Sequence, residues 1–403
     1  MQPRALESVT RSERGVAFRT EDAFFRSESG LSRDLGCLAL AVRVRERAQE
    51  RAPVRVLEAF AGSGSRGVRY ASHLPAGSHL WSNDVDASLG PTLARNLAGR
   101  GNVQVTHEDA KALLCGCFAR GDKFTLVDLD GFGSSGVATC GVACCVTEDE
   151  GLVYVAGTDA ATVAGGHNAG KAFGSYGGSF CATKLPFASE QGMRVVVYAA
   201  VQAAAAQGRD VAPVFCHYSG HGPVFRAMLR VRRGRPGPTG GMVGSVGYMR
   251  HCRACGNSAS ADAAELGGQC FAVCPECKAE GTSHVAGPLW TGDLHDRAFL
   301  ARMREEAEDL GWVSCDGGDS SVLGGALEVM EEEAALKGVA FHIPLDLIAA
   351  RARLRGTPPR DALLAALPFP SCRTSFDTKA IRCGAPIDAI AEAWREAGPP
   401  REG

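Results

Sequence analysis

Val54-Arg-Val-Leu-Glu58 runs straight into Ala59-Phe-Ala-Gly62-Ser-Gly64-Ser-Arg66-Gly67, a short apolar strand followed by a glycine-rich turn that opens a helix. Glycines there let the backbone approach a ligand closely, and the first turn of the helix favours negative charge. The segment is read as a nucleotide-cofactor loop with Gly62 and Gly64 facing the cofactor, although a lone Gly-x-Gly fits a plain tight turn equally well. Strand-like runs at His79–Asp84, Val103–His107, Phe124–Asp128 and Gly151–Gly157 then alternate with helical stretches, the rhythm of an open parallel sheet with crossover helices. An amphipathic Ala/Val-rich segment, Glu190–Gln207, precedes two more runs, Val211–Tyr218 and Val224–Arg232, with Ser219-Gly-His-Gly-Pro223 between them. The expected fold is α/β: a Rossmann-like seven-stranded sheet closed by an antiparallel hairpin.

The ends of those strands carry the chemistry. About 20 residues beyond the glycine loop, the second strand ends in Asn83-Asp84-Val85-Asp86, where the Asp84 carboxylate is placed to accept hydrogen bonds from a ribose diol. The third ends in Glu108-Asp109-Ala110, suited to an adenine amino group. Each acid alone is more often a helix cap. In register with the loop they point to an adenosine-bearing ligand, with a nicotinamide dinucleotide still compatible. The fourth strand ends in Asp128-Leu-Asp130-Gly-Phe132-Gly133. Methyl transfer to an exocyclic amine needs an acceptor that orients the N–H groups and a flat apolar surface for the base. Asp130 and Phe132 are those two groups; the competing reading is a strand-end turn with Phe132 packed into the core.

A chain of 403 residues, 45% hydrophobic and 22% charged, has the composition of a globular protein of two or three domains. It contains no apolar run of the roughly 20 residues that a bilayer span requires, so no membrane association is expected. Sixteen cysteines scattered along apolar segments of a long chain argue for a reducing compartment, with nucleus or cytoplasm first and mitochondrion or plastid as alternatives. The net charge of -2 excludes a uniformly basic nucleic-acid coat. One local patch exists, Arg226, Arg230, Arg232, Arg233 and Arg235, which is either a phosphate-binding surface or a solvated face. Residues 234–247 are crowded with glycine and proline and read as a linker. Beyond it, Cys252-Arg-Ala-Cys255 and Cys274-Pro-Glu-Cys277 have the spacing of a four-thiolate structural Zn2+ ribbon, with Cys270 a possible substitute ligand. Helical patterns follow at Asp296–Leu310, Leu323–Leu336, Leu345–Leu354 and Arg360–Leu367.

Together, the loop, the strand-end acids and the ribbon resemble the tRNA (guanine-26-N2) dimethyltransferase family over nearly the whole chain. Further matching segments are Asp22-Ala-Phe-Phe25, Ser32-Arg33-Asp34-Leu35, Gly287-Pro-Leu-Trp-Thr-Gly-Asp-Leu-His-Asp296 and Ser371-Cys-Arg373-Thr-Ser375. The resemblance implies a class I methyltransferase domain over residues 1–233 and a zinc-ribbon-containing α+β domain with a winged-helix-like tail over 248–403. It implies S-adenosyl-L-methionine as cofactor, its methionine part held by Arg33 and Arg66, its ribose by Asp84 and its adenine by Asp109 and Ala110. Asp130 would take the guanine amine and relay its proton. The tRNA would be gripped by the tail, the zinc module, Arg373 and the cluster that includes Arg230, Arg232 and Arg233; no obligate protein partner is evident. Where the family has Asp-Pro-Phe-Gly followed by Ser-Pro, this chain reads Asp130-Gly131-Phe132-Gly133-Ser134-Ser135. Together with the Gly/Ala-rich loop Thr158–Ser179 and His221-Gly-Pro-Val-Phe225, this resembles the plant and green-algal branch. Glycine at 131 loosens a loop that proline would pre-set, by about 0.4–1 kcal/mol. The alternatives are a tRNA-binding or folding homologue with impaired turnover, and methylation of a protein or of adenine in RNA.

Overall fold

The computed structural model describes residues 10–21, 23–48, 50, 52–165, 169–178, 184–234, 245–262, 272–313 and 319–397. In chain order the elements are β1 (Thr10–Glu13), β2 (Val16–Arg19), α1 (Gly30–Glu46), β3 (Arg55–Glu58), α2 (Ser65–Ala71), β4 (His79–Asn83), α3 (Gly90–Leu97), β5 (Asn102–Thr106), α4 (Ala110–Arg120), β6 (Phe124–Leu129), α5 (Ser135–Val146) and β7 (Thr147–Gly157). They continue with α6 (Ala160–Val163), α7 (Ala169–Tyr176), α8 (Ala188–Ala206), β8 (Arg209–Ser219), β9 (Val224–Arg233), β10 (Val246–Cys252), β11 (Ser258–Asp262) and β12 (Ser283–Trp290). The last elements are α9 (Arg297–Asp309), α10 (Asp319–Ala335), β13 (Ile343–Pro344), α11 (Leu345–Ala352), α12 (Arg360–Ala366), β14 (Ser371–Arg373), β15 (Ala380–Cys383) and α13 (Ile387–Ala397).

The central sheet has seven strands in the order β5-β4-β3-β6-β7-β9-β8, parallel except for β9, which runs antiparallel to both β7 and β8. All seven strands expected from the sequence are present. Every residue of β6 is buried, as a central parallel strand covered by helices on both faces must be. Between β3 and β6 the strand order reverses, and the carboxyl ends of these two strands open a crevice of the kind in which doubly wound sheets bind ligands. The C-terminal part contributes a three-stranded sheet β11-β10-β12, which carries the cysteine pairs, and a second sheet β13-β15-β14 flanked by α11, α12 and α13. Among the described residues no helix is long and apolar enough to cross a membrane.

Two features differ from the expected plan. The helix α1 has no amphipathic signature because Ser32 through Leu40 are buried on all sides, including the charged Arg33 and Asp34, so no 3.6-residue stripe exists to read. Residues 235–244 of the proposed linker lie outside the described residues, and β10 begins at Val246, inside its far end. Apolar packing also crosses this segment. Phe299, Leu300 and Met303 of α9 share a core with Leu35 and Leu38 of α1 and Tyr154 of β7. Met249, Leu289 and Trp290 join the core on the other face of the sheet.

A buried charge network fastens the tail to the sheet. Glu190, in the first turn of α8, accepts hydrogen bonds from Arg194 (2.9 Å), Arg382 (2.9 Å), the backbone N–H groups of Phe341 and His342 (2.9 Å each) and His342 Nδ1 (3.0 Å). Glu333 takes Arg382 Nη2 (2.8 Å), the Thr374 hydroxyl (2.8 Å) and the Ser375 hydroxyl (2.5 Å), and His295 Nε2 lies 3.3 Å away. Burial alone would raise both carboxyls. Arg382 and Arg194 overrule it for Glu190, and Arg382 with His295 brings Glu333 down to about 2. The stability contributed by Glu333 is therefore present above its ordinary value of 4.5 and is lost as pH falls toward 2. Replacing Glu190 by Gln keeps the shape but leaves Arg194 and Arg382 short of a counter-charge. Glu190→Gln is expected to cost about 3–5 kcal/mol, read as a lower urea midpoint with the m-value unchanged.

Candidate active site

At the β3/β6 crevice lies a cavity of about 670 Å³, within the usual range of small-molecule sites. Its lining includes Gly62, Arg66, Asp84, Asp130, Phe132 and Arg226. The glycine loop is held over the strand ends by local bonds. Gly62 N donates to Asp84 Oδ2 (2.7 Å), and Ala61 N donates to Asn83 O (2.8 Å). Gly64 has φ +78°, and a Cβ there would meet Leu93 Cδ1 at 2.5 Å, so only glycine turns the chain into α2. Gly67 brings α2 onto the sheet, where a Cβ would stand 2.6 Å from Glu58 Oε2.

Asp84 and Arg33 line the cavity, whereas Asp109 and Ala110 do not. Asp109 caps α4, accepting from Lys111 N (3.0 Å) and Ala112 N (3.1 Å). Its neighbour Glu108 is tied to the second strand end, where Asn83 Oδ1 accepts Glu108 N (2.9 Å). Arg33 donates from Nε to Glu13 (2.8 Å) and from Nη2 to the carbonyl of Arg26 (3.0 Å), with its guanidinium over the Phe25 ring.

The centre of the site is Asp130. Arg66, from the start of α2, reaches its Oδ2 with Nε (2.9 Å) and Nη2 (2.6 Å). Arg226, from β9, reaches Oδ1 with Nε (3.2 Å) and Nη2 (3.1 Å). Burial would raise the Asp130 carboxyl, but these two guanidinium charges overrule it and hold it far below its ordinary value of 3.8. The carboxyls behind it go the other way: burial raises Asp128, and burial with the nearby Asp128 pushes Glu58 up to about 8. Asp130 is thus held as an anion against Arg66 and Arg226. A carboxylate held this way can orient an N–H donor.

Phe132 is 67% exposed at the cavity mouth, so it is not part of the core. Its ring meets that of Phe24, itself 61% exposed, edge to face at 5.1 Å and 73°. The loop between them and the sheet is pinned: Gly133 N donates to the Thr158 hydroxyl (2.6 Å), and Thr158 N donates to Gly133 O (2.9 Å). This pair restrains the chain two residues beyond Gly131, where proline is missing. Sequence reasoning assigned no role to Phe24 and placed Arg226 only in the basic patch. The available signal for Arg226 was its position at the start of β9, paired across the ladder with Ala156 near the end of β7.

Two more members of the arginine cluster are engaged with acids. Arg230 pairs with Glu46 (3.0 Å) and Glu150 (3.1 Å), and Arg232 with Glu150 (2.8 Å), while Arg233 is exposed; Arg235 lies outside the described residues. Arg373 pairs with Glu328 (3.1 Å) and with Glu332.

The four expected cysteines converge, with all Sγ atoms of Cys252, Cys255, Cys274 and Cys277 within 4.8 Å of one another. Cys252–Cys277 and Cys255–Cys274 are each 3.7 Å apart, against about 3.8 Å for the edge of a tetrahedron of sulfurs 2.3 Å from one ion. Both knuckles are built alike: Cys252 N donates to Asn257 O and Gly256 N to Cys252 O, and Cys274 N donates to Ala279 O and Lys278 N to Cys274 O. The donor set fits a closed structural Zn2+ site. Cys270 lies outside the described residues. Cys274→Ser is expected to lower the zinc content measured by atomic emission, the melting temperature and tRNA affinity. Calorimetric binding of S-adenosylhomocysteine should persist, because the cavity lining includes no residue of the zinc sheet.

Comparison with known proteins follows the same geometry. Residues 7–395 match the family model described as N2,N2-dimethylguanosine tRNA methyltransferase. The tRNA (guanine(26)-N(2))-dimethyltransferase of Methanosphaerula palustris is 29% identical over 379 residues, covering 92% of this chain and 91% of that protein. The enzyme of the same name from Halobacterium salinarum is 32% identical over 305 residues, covering 74% and 75%. The Schizosaccharomyces pombe enzyme is 28% identical over 367 residues, and the match spans 84% of this chain but only 63% of that longer protein. Among solved structures, Trm1 from Pyrococcus horikoshii in complex with S-adenosyl-L-methionine superposes with a TM-score of 0.74 over 96% of this chain and 99% of that one, at 20% identity, and so shares the fold. The chain belongs to the N2,N2-dimethylguanosine tRNA methyltransferase family.

Proposed function

We propose that this chain methylates the exocyclic N2 of guanine 26 in tRNA twice, with S-adenosyl-L-methionine as the methyl donor. The observation that carries the reading is Asp130: a half-buried carboxylate at the end of β6, clamped by Arg66 and Arg226 beside an exposed aromatic pair. Bound in the cavity, the cofactor supplies an electrophilic methyl group on a sulfonium. The protein has three tasks. Gly62 and Asp84 hold the adenosine half, with Arg66 and Arg33 near its amino-acid end and Asp109 and Ala110 behind the adenine; Gly64, outside the cavity lining, shapes the loop that carries Gly62. Phe132, braced edge to face by Phe24, offers a flat ring at the mouth on which a splayed-out base can stack. Asp130 accepts an N–H of the amine, which turns the nitrogen lone pair toward the methyl group, and the proton released on transfer passes to solvent.

In this reading residues 1–233 perform the chemistry, and residues 248–403, with the zinc ribbon and the tail, hold the tRNA body. Arg230, Arg232 and Arg373 would exchange glutamate partners for phosphate, whereas exposed Arg233 needs no such exchange. The Gly133–Thr158 pair supports a functional loop over the impaired homologue, because it supplies rigidity that Gly131 does not. The described cysteines outside the zinc cluster are unpaired, which fits a reducing compartment: nucleus or cytoplasm, with mitochondrion or plastid as alternatives.

Incubation with unmodified tRNA and methyl-labelled cofactor should label the tRNA. Asp130→Asn should lower kcat about 10²–10³-fold while retaining cofactor binding; full activity of that variant contradicts the assignment.

A further inference from the structure

Asp130 has no acceptor site to spare, because four guanidinium nitrogens already occupy it. Its two oxygens already take four guanidinium contacts, and Arg226 Nη2 adds a fifth to Oδ2 at 3.2 Å. A carboxylate has roughly four lone-pair directions. An amine N–H finds an acceptor only when one arginine lets go.

The two arginines are not equivalent. Arg226 has both Nε and Nη2 on Asp130, and its Nη1 is buried without a hydrogen-bond partner. Arg66 has other support: its Nη2 donates to the Ser32 hydroxyl (3.1 Å), its Nη1 lies 3.7 Å from Asp128, and its guanidinium sits 5.2 Å from the Tyr154 ring centroid. Leaving Asp130 strips Arg226 of its carboxylate but leaves Arg66 partly compensated. Arg66 also lines the cavity beside the glycine loop, within reach of a ligand that brings a carboxylate of its own.

We propose that Arg66 is an exchangeable clamp on Asp130: the carboxylate of the bound cofactor draws its guanidinium away, which frees an Oδ2 lone pair for the guanine amine while Arg226 keeps the carboxylate in place. The proposal rests on the function argued above and adds an order to it. Cofactor carboxylate and guanine amine then bind cooperatively, and by linkage each strengthens the other to the same extent. Arg226 is the positioning residue that makes the exchange possible.

The test measures the affinity of the full chain for unmodified tRNA with no ligand, with saturating S-adenosylhomocysteine, and with saturating 5′-methylthioadenosine, which has the adenosine and thioether but no carboxylate. S-adenosylhomocysteine should tighten tRNA binding about tenfold and 5′-methylthioadenosine by less than about twofold. A tRNA with inosine at position 26, which lacks the 2-amine, should show no tightening with either ligand. Asp130→Asn should still bind tRNA and lose the gain. Equal tightening by both ligands, or tightening that survives on the inosine tRNA, overturns the proposal. So does S-adenosylhomocysteine that binds without affecting tRNA. Failure of the underlying function looks different: no methyl transfer and no binding of S-adenosylhomocysteine by calorimetry, which removes this proposal with it.

Discussion

Arg66, Asp130 and Arg226 form the contact on which the site depends. It joins three parts of the sheet that the chain reaches far apart in sequence: the helix after the glycine loop, the end of β6, and the antiparallel strand β9. An isolated buried carboxylate would take up a proton, as Glu58 tends to here. Two guanidiniums reverse that tendency for Asp130. The cost of burying so much charge is offset by mutual pairing, and the result is an anion of fixed position at the floor of an open cavity.

A second charge cluster does a different job. Glu190, Glu333 and Arg382 lie beneath the tail, and the segments most diagnostic of the family converge on them. His295, from the block that begins at Gly287, stands 3.3 Å from Glu333, and Thr374 and Ser375 donate to the same carboxylate. Trp290 and Gly292 give their carbonyls to Arg194, which in turn holds Glu190. These residues lock the tail to the sheet in one orientation. The apolar packing of α9 against α1 adds a second attachment of the C-terminal part to the seven-stranded domain.

The parallel strands were legible because most are short apolar runs bounded by turns, and their ends matched the observed ones within a few residues. The zinc ligands were legible because thiolate spacing is a local property. Residues that act through tertiary pairing were not. Arg226 looks like one more member of a basic run, yet it faces Asp130 while Arg230 and Arg232 face Glu150. Phe24 lies far from Phe132 in sequence, and only folding brings the rings to 5.1 Å. Buried charges such as Arg33, Asp34 and Glu190 carry no periodic signal, since their neighbours on every side are buried too.

The central claim is that one clamped carboxylate presents an exocyclic amine, and no ring nitrogen, to the methyl donor. Mass spectrometry of nucleosides from unmodified tRNA, after reaction with the purified protein and a deuteriomethyl-labelled cofactor, tests it most directly. The account predicts label in N2-methylated and N2,N2-dimethylated guanosine. Label on a ring nitrogen, on another base, or on no nucleoside at all would contradict it.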